Sequence, residues 1–170
     1  MPPQRGSRPR SLYRIVWGGK RGHWGLFLPD DDHDLTHGLL VHIGVESDKG
    51  PGGSSRGKEN HTLMFEPIDV GHSRGAITRI KGALATTEML QEAANATFTE
   101  GGGYNYVYNN CQHFCLNLIK KLHQLYPTLV TREAVADAQS NATAVTVASN
   151  AVKAIIQRSG RALYSRSGKK

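Results

Sequence analysis

Cysteine is scarce in this chain: it occurs twice in 170 residues, as Cys111 and Cys115. No signal peptide is expected ahead of them. The N-terminus "MPPQRGSRPRSLYRIVW" is basic but lacks an apolar core and a small-residue cleavage site. The pair is therefore expected to be thiols rather than a disulfide, so the sequons at Asn60, Asn95 and Asn141 are read as chance matches. Long apolar runs are also missing. Nothing approaches the roughly 20 residues of a bilayer-spanning helix, and a soluble, cytoplasmic protein is expected. Aromatics make up only 7% and are not interleaved with the basic ends, which argues against a nucleic-acid reader.

Acidic residues are absent from both ends. Residues 1–22 hold six Lys and Arg, residues 151–170 hold another six, and neither stretch has an Asp or Glu. Of the net charge of +7, the ends account for all the excess, and residues 23–150 are net acidic. Basic ends can rest on an anionic membrane surface. Solvated tails are the plainer reading and the one expected.

What remains is enough for one domain with a sizeable core. Residues 1–10 read as a disordered basic tail, 11–127 as the folded domain, 128–158 as a C-terminal helical segment and 159–170 as a second basic tail. "SLYRIVW", "HWGLFLP" and "LLVHIGV" read as antiparallel strands joined by glycine turns, with 30–38 a polar acidic loop between the last two. "HTLMFEP" and "GAITRIKG" read as two more strands after a flexible loop at 46–60. The period then becomes helical. Met89, Leu90, Ala93, Ala94 and Phe98 recur on one face, with Thr86 or Thr87 as cap. A short strand is expected at 104–108. "NNCQHFCLNLIKKLHQLY" forms the second helix, with Asn109 or Asn110 as N-cap and one apolar face running Cys111, Phe114, Cys115, Leu118, Ile119, Leu122. A third helical stretch opens at Thr131 and stops at Gly160. The class is α+β, an antiparallel sheet packed against helices.

Metal binding and redox pairing fit the cysteines poorly. No second Cys or His pair stands at structural-zinc spacing, and a redox motif needs two intervening residues where this chain has three. The histidines of "DDHDLTH" lie in a loop without regular ligand geometry. No metal and no cofactor is implied. Nucleophilic catalysis fits better. A cysteine in the first turn of a helix faces unpaired N–H groups and the positive end of the dipole, and both favour thiolate. Cys111 is in that place. The alternative is that it is a small apolar residue opening an amphipathic helix. A thiolate also needs a base, and spacing alone does not choose among eight histidines.

"HWGLFL", then "GLLVHIGV", then "YNNCQHFCLNLIKKL" resemble the lecithin:retinol acyltransferase-like branch of the NlpC/P60 superfamily, with the PPPDE thiol isopeptidases as a related group. The resemblance covers roughly residues 11–125. It implies a circularly permuted papain-like fold, in which the histidine strand precedes the cysteine helix. It implies Cys111 as nucleophile, His23 as general base and His42 as the third, orienting group. His33 and His37 compete with His42, because the acidic loop lengthens the interval from His23. Gln112 stands where the acyltransferase branch has glutamate and the isopeptidases have asparagine. His113 matches the motif histidine and is expected to be structural, since helix geometry turns it away from Cys111. Cys115 replaces an apolar residue and is expected to pack in the core.

The resemblance implies a cysteine-dependent hydrolase or acyltransferase that acts through an acyl-enzyme on an amide, ester or thioester. The expected partners are acyl, peptide or isopeptide substrates. Two rivals are a catalytically silent binding protein on the same scaffold, and a protein that holds an anionic surface through its basic ends. The membrane helix that often closes the acyltransferase branch is not expected, because Asp137, Asn141, Asn150 and Lys153 interrupt 134–156. "AVTVASNAVKAII" lacks the Trp, Phe and Leu of an interfacial helix, so docking on the domain or self-association is expected of it.

Overall fold

The computed structural model describes residues 8–17, 23–46, 60–70, 75–101 and 111–140. The expected strand at 104–108, the caps Asn109 and Asn110, residues 1–7 and 159–170 of the basic tails and 141–158 of the C-terminal segment lie outside them, as does most of the 46–60 loop.

Five strands form one antiparallel sheet: β1 (Arg10–Trp17), β2 (His23–Asp31), β3 (Asp34–Glu46), β4 (Asn60–Asp69) and β5 (Gly75–Ala85). Their order is β4-β3-β2-β1-β5. β2 is central and mostly apolar, and its first seven residues are buried except His23, which is half-buried. Period-2 alternation then divides the core. Trp24, Leu26 and Leu28, with Val41 and Ile43 of β3, face the helices. Phe27, with Ile15 of β1 and Leu40 of β3, forms a smaller cluster on the other face, joined by Trp17 and Ile68.

The acidic stretch 30–38 is not a loop. It extends both flanking strands into one hairpin, with Asp31 paired to Asp34 and Pro29 to Gly38. The acids act locally. Asp31 Oδ1 accepts from His33 N at 3.0 Å, and Asp34 Oδ1 accepts from Thr36 N at 2.9 Å. Asp32 Oδ1 reaches back to Ser11 N at 2.8 Å. Short acceptor side chains that satisfy turn N–H groups are what make such a turn stable.

α1 (Thr87–Glu100) starts as its sequence indicates, with Thr86 Oγ1 accepting from Met89 N at 3.2 Å. α2 (Cys111–Leu125) buries the six residues of its apolar face. The two helices are joined side by side through Lys121 to Glu100 at 2.6 Å and Tyr126 to Glu92. α3 covers residues 132–140 of the described chain and buries Ala134 and Ala138. It is delivered by a backbone clasp in which Thr131 N donates to Gly82 O and Leu84 N donates to Leu129 O, both at 2.9 Å. Gly82 has φ +71°, and a Cβ there would collide with Thr131 Oγ1.

The N-terminal boundary shifts by one residue. Arg10, which sequence reading gives to the tail, opens β1 and is buried. Its guanidinium donates to Pro29 O at 2.6 Å and to Thr87 Oγ1 at 3.0 Å. It thereby ties β1, β2 and α1 together. Arg14 is also internal in character, lying 4.6 Å from the Trp24 ring centroid. Among the described residues no helix is long and apolar enough to cross a membrane.

Candidate active site

His23 is the first residue of β2, and His42 lies in the middle of β3. The hairpin register pairs Leu26 with Val41. Continued by one residue, it sets His42 opposite Gly25, the diagonal neighbour of His23. Gly25 leaves the space between them clear, since a Cβ there would stand 3.3 Å from His42 Cβ and 2.7 Å from Leu40 Cδ1. The two rings meet edge to face, with centroids 5.1 Å apart. His23 Nε2 lies 2.9 Å from His42 Nδ1. On the far side, His42 Nε2 lies 3.1 Å from Glu66 Oε2.

Glu66 belongs to β4, where it pairs with Leu40. Trp17, at the end of β1, pairs with His23 in register and packs its ring 5.3 Å from the imidazole. Trp17, His23, His42 and Glu66 thus form a row across four strands on one face of the sheet. The row is graded in exposure. The His42 side chain is 12% exposed and the Glu66 side chain 41%. Burial holds the His23 pKa below its ordinary 6.5, and the neighbouring His42 adds to this while Glu66 opposes it.

Cys111 is nearly buried, at 8% exposure, in the helix-side core. Its Sγ accepts a hydrogen bond from Trp24 N at 3.4 Å, the peptide that directly follows His23. The structure therefore joins His23 to His42, and brings the Cys111 sulfur to the backbone between His23 and Trp24. Side-chain alternation puts the His23 ring and the Cys111 helix on opposite faces of the sheet at the strand's first residue.

His37 is five residues along β3 from His42, roughly 17 Å away, where it pairs with Asp69 at 3.8 Å. His33 lies in the hairpin turn. Neither competitor reaches His23. His113 is exposed on α2, while Cys115 is buried at 1% exposure. Burial and the neighbouring Cys111 push the Cys115 thiol far above its ordinary value. Sequence reading missed Glu66 and Trp17. The one signal for Glu66 was a lone acid inside the apolar strand "HTLMFEP". Among the described residues no group of three or more His, Cys, Asp or Glu could hold a metal ion.

Comparison with family models, curated proteins and solved structures returns no match to this chain.

Proposed function

We propose that the chain is a cysteine-dependent hydrolase or acyltransferase of permuted papain-like, NlpC/P60-type build. The supporting observation is the hydrogen-bonded His23–His42 pair at 2.9 Å, beside a helix-start cysteine whose sulfur touches the peptide after His23.

In this reading His23 takes the Cys111 proton and Sγ attacks an amide, ester or thioester carbonyl. The carbonyl electron pair moves to oxygen, and N–H groups in the first turn of α2 stabilise that oxyanion. Collapse expels the amine, alcohol or thiol, which takes the proton from His23. Water or a second acceptor then attacks the thioester through the same base. His42 orients His23, and Trp17 limits the swing of its ring. Proton transfer requires the His23 ring and Sγ to meet round the start of β2.

Alkylation of full-length protein by iodoacetamide near neutral pH, read by mass spectrometry, tests this. Cys111 should be modified selectively, and the rate should fall by about tenfold or more in His23→Ala, the scale of a lost general base. Equal, slow reaction at Cys111 and Cys115 would remove the basis of the enzyme reading. The opposite-face placement of ring and helix favours one alternative, a silent binding protein on the same scaffold. That reading expects a Cys111 rate indifferent to His23→Ala.

A further inference from the structure

We infer that Glu66 is a positioning residue that fixes where the protons of the histidine pair reside, and thereby which nitrogen of His23 is the base. An ionised carboxylate can only accept hydrogen bonds. His42 Nε2, 3.1 Å from Glu66 Oε2, must therefore carry a proton. A neutral His42 then has its lone pair at Nδ1. That atom faces His23 Nε2 at 2.9 Å, so His23 Nε2 is the donor. The His23 lone pair is left at Nδ1, on the side of the ring away from His42. Each step follows from the one before it, starting from the carboxylate.

The same geometry permits one other order. If His42 gains a proton, both of its nitrogens donate, and His23 Nε2 has to accept. The His23 proton then lies on Nδ1, so that nitrogen is no longer a base although the His23 ring stays neutral. Among the described residues, the groups facing this pair are few. Glu66 comes from β4 and the uncharged Trp17 from β1. His23 and His42 come from β2 and β3. The helices pack on the opposite face. The catalytic consequence rests on the reading of Cys111 and His23 above, whereas the order of the protons does not.

Long-range 1H–15N correlation spectra of the full chain labelled at histidine read the tautomers directly. At mildly alkaline pH both His23 and His42 should show a protonated Nε2 and a bare Nδ1. In Glu66→Gln the amide can present either a donor or an acceptor to His42. Both rings should then show mixed tautomers, and Cys111 alkylation should slow in proportion to the share of His23 that leaves the working tautomer. Glu66→Leu should mix them as well, with near-wild-type melting in at least one of the two variants as control. A wild-type His23 protonated at Nδ1 in alkaline solution would overturn the assignment, and so would tautomers unchanged in both variants. If the tautomers behave as stated but His23→Ala leaves Cys111 alkylation unchanged, the Glu66 assignment stands and the enzyme reading falls.

Discussion

Two cysteines one helical turn apart have opposite prospects because their surroundings differ. Cys115 faces the core, where burial disfavours its thiolate. Cys111 sits in the first turn, next to the backbone of β2. Cys115→Val should therefore leave Cys111 alkylation unchanged and shift stability by no more than about 1.5 kcal/mol, the range of volume-conserving core swaps. Calorimetry and labelling on one sample check both. His23 carries a pH signature. Its folded pKa is depressed, mainly by burial. In the window below the ordinary 6.5, the unfolded chain binds a proton that the folded chain does not. Its contribution is complete above that window and is lost as pH falls through it. His23→Gln should flatten the urea-midpoint profile on that acid side, and an unchanged slope would argue against a buried neutral His23. The sequence pointed to His23 and His42 only through the family resemblance, since spacing alone did not choose among its eight histidines. Glu66 could not be chosen from sequence, because its place in the row depends on a β3–β4 register set across the 46–60 interval.

The hairpin of β2 and β3 makes the site. Four acids within five residues suggested a solvated loop, yet each acid that bonds a turn N–H removes the reason for the chain to stay irregular. Strand propensity at Leu39–Leu40 then extends the pairing back to Asp34. What had counted against His42, its distance along the chain from His23, disappears once both lie in paired strands. Gly38 allows the closest approach in that pairing, since a Cβ there would stand 2.6 Å from Phe27 Cε2 and 2.7 Å from Pro29 Cα. Gly38→Val should lower stability by about 1–3 kcal/mol, the scale of overpacking, and weaken the His23–His42 bond with it. Unfolding midpoints and the histidine resonances would show both. The helices were easier to read, because a 3.6-residue period and a capping threonine are local signals. Thr86→Ala should cost about 1 kcal/mol, measurable in urea, with the site resonances unmoved.

Charge is a property of the whole molecule, and here the fold redistributes it. The sequence holds twelve cations in two acid-free ends, with Arg10 expected in a basic tail and Arg14 in a strand. Two of the N-terminal six, Arg10 and Arg14, are taken up by the domain, one bonding Pro29 O and the other lying over Trp24. The sequence could not separate these from solvated arginines, because the difference lies in contacts made by residues far along the chain. Six C-terminal cations then stand against four N-terminal ones for any hold on an anionic surface. Removing residues 158–170 takes away five cations, while removing residues 1–7 takes away one. Each cation near an anionic bilayer contributes about 1 kcal/mol. The first truncation should therefore abolish sedimentation with phosphatidylserine vesicles at low salt, and the second should barely change it. Arg10→Met should do the reverse. Vesicle binding should persist, while stability falls by about 1–3 kcal/mol because Pro29 O loses its buried donor. If Arg10→Met weakens vesicle binding as much as losing 158–170 does, Arg10 serves the surface and the division between structural and tail cations fails.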